Sequence, residues 1–378
     1  VLMAELADSP AHVETAEPVI LASRTDLAVR GVRLESGEGG HDADAPVQRR
    51  AGAGPTDDGH LVIGGRSAAL PIVSTSPYSL RGRRLLYEGT DTGLEVEPVR
   101  RPKFYDLTTA EGVRYEQLAR LHGSDVLATT VVQTCMRYDP ETRCRFCAIE
   151  ESLRAGSTVA VKSPAQLAEV AEAAVRLDGV RQMVMTTGTS RGRDRGATHL
   201  ARCVVAVKAA VPELPIQVQC EPPADLDTID ALHEAGATAI GIHVESLDDE
   251  VRRRWMPGKS TVPLAEYWAA WDRAVEVFGR NRVSTYLLVG LGEKADELVA
   301  GAAELIERGV YPFVVPFRPA AGTLAVDVDG ARAPAPALLA EVTSRVAGLL
   351  SAAGMRGADQ GAGCAACGAC SALSTVGG

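Results

Sequence analysis

The segment QTCMRYDPETRCRFCAIE sets Cys135, Cys144 and Cys147 in a C-x8-C-x2-C spacing. Thiolate is a soft ligand, suited to an iron–sulfur cluster or to zinc. Cys144 and Cys147 can grip one centre from a single tight turn, and Cys135 closes the cage. A structural zinc site normally takes four ligands, yet residues 136–160 add no His and no Cys beyond those two. Three thiolates on a cubane leave one iron open to bind a further group. Iron–sulfur is therefore the favoured reading, with zinc as its alternative. Phe146 stands between the paired cysteines, where its ring can stack on a flat ligand or simply fill a cavity mouth.

A second set, Cys364, Cys367 and Cys370, forms C-x2-C-x2-C in a Gly- and Ala-rich tail. It matches the start of the ferredoxin run C-x2-C-x2-C-x3-C-P, with Ser374 where the fourth Cys would stand. A second [4Fe–4S] cluster is the leading reading, serving substrate binding, electron transfer or sulfur donation. A zinc site with a borrowed ligand and an unliganded redox tail are the alternatives. Cys203 and Cys220 stand alone and read as buried apolar residues. A chain of 378 residues needs no disulfide staples.

Composition narrows the function classes. A net charge of -10 argues against a nucleic-acid partner, whose phosphates call for clustered Lys and Arg. No apolar run approaches the ~20 residues that span a bilayer. Residues Val1 to Ala22 carry Glu5, Asp8, Glu14 and Glu17 where a secretory signal would be basic and apolar. A cytoplasmic protein without a membrane or nucleic-acid partner is the expectation. Aromatic residues are only 4% of the chain, so Ala, Val and Leu must supply most of the core.

The elements that position the cysteines divide the chain into three stretches. Residues 1–125 read as an irregular N-terminal extension or cap, with a helix near Ile20 to Arg30 and a Gly-, Asp- and Arg-rich segment from Glu35 to Gly59. Short strands are expected at LVIGG (61–65) and AALPIV (68–73). Residues 126–355 alternate six β-branched runs, at 128–134, 180–187, 216–220, 238–244, 283–289 and 310–317, with helix-like stretches. Among these, Pro164 to Leu177 has Ser163 as a ready N-cap, and Leu264 to Phe278 and Pro334 to Ala353 follow the same period. This predicts an α/β fold with parallel strands joined by right-handed crossovers. The sheet either curls into a partial or complete (β/α) barrel or stays open and doubly wound, and chemistry gathers at the strand C-termini in both. Residues 356–378, the cysteine tail, have too few bulky side chains for a core of their own and must dock or be organised by a metal.

The cysteine loop and the strand-end motifs TTGTSRG (186–192), GIHVESLDDEVRRRWMPGKS, LLVGLGE (287–293) and PFRPAAGT (316–323) resemble the radical S-adenosylmethionine (SAM) superfamily, in its biotin-synthase-like branch. The tail and the string RRAGAGPTDDGHLVIGG (49–65) further resemble an uncharacterised radical SAM family of nitrilase-associated bacterial gene clusters. The resemblance implies an enzyme in which three cysteines hold a [4Fe–4S] cluster whose open iron chelates SAM. One electron then breaks a carbon–sulfur bond, and the 5′-deoxyadenosyl radical abstracts hydrogen from a small-molecule substrate. A reducing partner such as ferredoxin or flavodoxin is implied. The implied cofactor-binding residues are Phe146 against the adenine and Thr187, Gly188 and Thr189 for the methionine amino group. His243 and Glu245 would serve the ribose and carboxylate, and main-chain atoms of Leu288, Val289 and Gly290 the adenine. Arg252 to Lys259 and Arg318 are further cations for anionic groups. The usual spacing of the superfamily is C-x3-C-x2-C, so the gap of eight lengthens the loop while keeping its second half. Biotin synthase itself is disfavoured, because Ser284 and Thr186 stand where its second cluster needs ligands. An iron–sulfur electron carrier and a zinc-stabilised non-redox barrel are the rival classes.

Overall fold

The computed structural model describes residues 23–34, 58–328 and 330–375. The expectations on Val1 to Ala22 and on residues 35–57 lie outside the described residues. A helix over 23–30 (α1) leads into β1 (Arg33–Leu34), β2 (Asp58–Ile63), β3 (Arg66–Pro71), β4 (Tyr78–Arg81), β5 (Arg84–Tyr87) and β6 (Thr90–Pro98). These strands form one sheet, ordered β1-β4-β5-β6-β2-β3, antiparallel except for the β1–β4 pair. Leu27, Val32, Leu61, Leu70, Leu85 and Val96 give it a small core of its own. The extension is thus more regular than its composition suggests. The β2–β3 hairpin turns on Gly64 and Gly65, both left-handed at φ 57° and 75°, which a two-residue primed turn requires.

After α2 (Tyr115–Leu118), β7 (Arg120–His122) runs antiparallel to β8 (Val126–Thr130) at the edge of a second sheet. β9 (Gln182–Thr186), β10 (Ile216–Gln219), β11 (Ala239–Gly241), β12 (Val283–Val289) and β13 (Val310–Pro316) follow, each parallel to the strand before it. The order β13-β12-β11-β10-β9-β8-β7 never reverses. A doubly wound sheet would reverse at a switch point. Crossovers of one hand instead keep the helices on one face, and strand twist curls the sheet. The sheet does not close, since β7 and β13 are its edges, so the fold is a partial barrel.

The helices are α3 (Glu151–Arg154), α4 (Pro164–Asp178), α5 (Ala197–Ala210), α6 (Asp227–Glu234), α7 (Asp249–Trp255), α8 (Leu264–Phe278), α9 (Ala295–Arg308), α10 (Pro336–Ala352) and α11 (Cys364–Cys367). α4 begins as its sequence dictates: Ser163 and Gln166 form a reciprocal capping box before Pro164, and Gly179 ends the helix at φ 66°. Its Leu167, Val170, Ala171 and Ala174 are buried against the sheet, as are Tyr267, Trp271 and Phe278 of α8. Cys203 and Cys220 lie in this core.

The tail docks inside the barrel. The Gly363 amide donates to Gln182 Oε1 (2.8 Å) and the Cys364 amide to Gln217 Oε1 (3.3 Å), near the starts of β9 and β10. A Cβ on Gly363 would lie 2.3 Å from the Gln217 side chain, so only glycine passes here. The Ser371 hydroxyl donates to the Val314 carbonyl, and the Ala69 amide of β3 to that of Ala369 (2.8 Å). Polar contacts to both sheets, together with buried Ala365 and Leu373, seat a tail that has no core of its own.

Candidate active site

Cys135, Cys144 and Cys147 sit on the loop that leaves β8, all three free thiols of intermediate burial. The long first gap is an ordered lobe. The Arg137 guanidinium holds Glu221 beyond β10 through two bonds of 3.0 Å and also reaches the Gly258 carbonyl. The Gly258 amide donates to the Thr142 carbonyl (2.8 Å), and a Cβ on Gly258 would meet that oxygen at 2.5 Å. The Arg145 amide donates to the Trp255 carbonyl (2.8 Å). The extra residues of the C-x8-C gap therefore clasp the turn after α7.

The turn after β9 braces the same loop. Gly188 donates its amide to the Val132 carbonyl and Met136 donates to the Thr189 carbonyl, each at 2.8 Å. A Cβ on Gly188 would sit 2.0 Å from the Thr134 carbonyl, so this glycine exists to let two backbones meet. Thr187 bonds the Gly188 carbonyl (3.0 Å), and the buried Thr189 hydroxyl donates to Glu221 (2.9 Å). The Arg137–Glu221–Thr189 network was not read from the sequence. Its signal was a carboxylate at the C-terminal end of β10, level with the other strand-end motifs.

His243 and Glu245 lie beyond β11 rather than on it, because the strand ends at Gly241. Both line a cavity of about 350 Å³ inside the barrel, with Phe146, Leu288, Tyr286 and Arg318. Glu245 takes φ 63°, a costly conformation for a side chain that size, and its carboxylate pairs with Lys259 at 2.6 Å. Burial alone would lower Lys259, but Glu245 outweighs it and holds the ammonium protonated. The His243 ring stacks on Tyr286 (3.9 Å, 7°), and both of its nitrogens are buried without a partner. Burial, then the Lys259 charge, pushes it down to about 3, so the ring is neutral.

Phe146 lines the cavity and also packs in an apolar cluster with Trp255, Leu291 and Phe317. At the β12 end the Leu288 amide donates to the Glu245 carbonyl (2.9 Å) and the Val289 carbonyl accepts from Phe317 (2.8 Å). These two groups are thus committed to the fold. Gly290, at φ 110°, packs on Pro334. In the basic segment Arg252 is buried on Asp249 and the Val262 carbonyl, and Lys259 is the cation that reaches the cavity residues. Lys162, unmarked by any motif, also lines the cavity. Its buried amine, lowered to about 7 by desolvation, donates to the Thr130 carbonyl (2.6 Å) and to Gln133 (3.2 Å).

Cys364, Cys367 and Cys370 line the same cavity as Phe146, whereas Cys135, Cys144 and Cys147 are not among its lining residues. Among the described residues no three of His, Cys, Asp or Glu form a group suited to one metal ion. Three thiols per set are nonetheless the ligand type that iron–sulfur clusters take. In the first, burial raises both Cys144 and Cys147, the latter to about 12, and each feels a neighbouring thiol of its own set. Such thiols deprotonate readily only onto a metal.

The Radical SAM superfamily model matches residues 140–305. A bacteriochlorophyllide c C-7(1)-hydroxylase of Chlorobaculum limnaeum is 30% identical over 141 residues, covering 36% of this chain and 34% of that protein. A mitochondrial lipoyl synthase of Leishmania braziliensis is 27% identical over 196 residues, covering 50% and 48%. The chain thus spans about a third to a half of the length of these curated relatives. Among solved structures, methylornithine synthase is similar at a TM-score of 0.45 and 16% identity, covering 64% of this chain and 70% of that one. Residues 140–305 thus match the radical SAM superfamily, whose members are enzymes that use a [4Fe–4S] cluster and SAM. Among the described residues no helix is long and apolar enough to cross a membrane.

Proposed function

We propose that this protein cleaves SAM reductively and uses the resulting radical to abstract hydrogen from a small molecule held in the barrel. The observation that carries the reading is the cysteine loop at the end of β8, clasped by the ends of β9 and β10 and by the turn after α7, with Phe146 lining the cavity. Cys135, Cys144 and Cys147 would hold the cluster. When bound, the cluster and SAM supply the electron and the carbon-centred radical, chemistry no side chain can perform.

The chain's own residues do the positioning. Glu245, whose carboxyl burial pushes up and the Lys259 ammonium at 2.6 Å pulls back down, presents its oxygens to ribose hydroxyls. Neutral His243 offers one donor and one acceptor to a ligand in the cavity. Phe146 and Leu288 give the adenine apolar faces, and Thr187, Gly188 and Thr189 fix the loop against which the methionine end lies. The apolar walls contributed by Val184 and Val315 keep water from a radical. Cys364, Cys367 and Cys370 hold a second cluster, and a ferredoxin or flavodoxin delivers electrons. The reading places the chain in the biotin-synthase-like branch, near the nitrilase-associated family.

Electron paramagnetic resonance (EPR) of the anaerobically reconstituted, dithionite-reduced protein tests this. The expected spectrum contains a cluster signal that changes when SAM is added and disappears in Cys144→Ala. A cluster signal indifferent to SAM would overturn the proposal.

A further inference from the structure

The two cysteine sets differ in what points at their sulfurs. The Cys364 sulfur lies 2.8 Å from the Tyr286 hydroxyl and accepts from Gln219 Nε2 at 3.2 Å. The Cys370 sulfur lies 3.4 Å from His122 Nε2, whose ring packs edge-on to His60 at 4.5 Å. Cys367 rests against the backbone of Gly123, where a Cβ would meet its sulfur at 3.2 Å. Arg24, only 4% exposed, donates to the Gly368 carbonyl (3.2 Å), between Cys367 and Cys370, and its charge acts on both. In the first set, among the described residues, no side-chain donor bonds Cys135, Cys144 or Cys147. Cys147 has a backbone donor at Ile149. The nearby Lys259 charge is matched by Glu245 at 2.6 Å, and that of Arg137, which acts on Cys135, by Glu221 at 3.0 Å.

We infer that Tyr286, Gln219, His122 and Arg24 are positioning residues that hold the tail centre at a higher reduction potential than the centre on Cys135, Cys144 and Cys147. The inference rests on the tail cysteines holding a cluster, as proposed above. A ligand thiolate has no proton to give, so Tyr286 and His122 must be the donors in the loaded protein. Reduction adds negative charge to the cluster and its sulfurs. Donors aimed at those sulfurs, and a buried cation beside them, stabilise the reduced form more than the oxidised one. The first set, with fewer donors, stays low in potential, as reduction of SAM demands. An electron at the tail therefore stays there rather than passing to the SAM end, which makes the tail an acceptor facing the cavity.

A full-length chain carrying Cys135→Ser, Cys144→Ser and Cys147→Ser isolates the tail centre for redox titration followed by EPR. Its midpoint should be more positive than that of the complementary Cys364→Ser, Cys367→Ser, Cys370→Ser chain. Adding Tyr286→Phe, which keeps the ring on His243, or His122→Leu should each shift the tail midpoint to more negative values at unchanged iron per chain. A midpoint that neither substitution moves, or one at or below that of the first centre, overturns the inference and leaves the second cluster standing. An isolated tail chain that takes up no iron, beside a wild type whose first cluster responds to SAM, removes the second cluster and the inference together while the radical SAM reading survives.

Discussion

Lys259 and Glu245 illustrate how a single buried pair ties the site to stability. Each needs the other, since an ion buried alone pays a desolvation penalty of several kcal/mol. Lys259→Met should cost about 3–5 kcal/mol in urea denaturation, whereas adding Glu245→Leu should restore much of that loss. A double variant as unstable as the single one would show that the pair does not govern this region. His243 adds a pH dependence. Its folded value is depressed to about 3, while the unfolded ring keeps its ordinary value of about 6.5. Below that value the unfolded state binds a proton that the folded state refuses, so stability is lost as pH falls toward 3. His243→Phe should flatten the decline between pH 7 and pH 5 by about 2 kcal/mol, measured by denaturation of the metal-free protein. Equal slopes would mean that the ring reaches water when protonated.

At the scale of elements, the cysteine loop depends on glycines that admit backbone contacts. Gly188→Ala places a Cβ on the Thr134 carbonyl, which lies at the root of Cys135. The expected outcome is a reconstituted protein with reduced iron per chain, even though no ligand is altered; full iron loading would mean that the turn does not hold the loop. Ser163→Ala, by contrast, should cost about 1 kcal/mol through the lost cap and leave iron unchanged. The contrast also marks what could be read in advance. The β8–β13 runs and α4 were legible because β-branched runs, 3.6-residue spacing and a Ser-Pro start each declare themselves locally. The sheet of β1–β6 was less so, since β4 and β5 have only four residues each and charged ends. The partners of Arg137 and Lys259 were hidden because Glu221 and Glu245 come from other strand ends, and sequence distance carries no register between them.

For the whole molecule, the position of the tail was the least legible feature. Gly- and Ala-rich sequence has no period, and its docking rests on polar positions of the barrel interior. Gln217 and Gln219 alternate with Ile216 and Val218 on a fully buried strand, a pattern that signals an occupied lumen only in retrospect. Removing residues 357–378 should therefore leave Gln182, Gln217 and Tyr286 facing an open cavity. The truncated chain should unfold at lower urea concentration and bind a hydrophobic dye that the intact chain excludes. An unchanged midpoint would place the tail's docking outside the folding unit.

The central claim, that this barrel generates a radical from SAM, is tested most directly by counting 5′-deoxyadenosine. Reconstituted protein incubated with dithionite and SAM should form it, and Cys144→Ala should not. The Cys364→Ala, Cys367→Ala double variant should still form it, since the proposal assigns the SAM-binding cluster to Cys135, Cys144 and Cys147. Absence of 5′-deoxyadenosine from a wild-type chain that carries its iron would contradict the account.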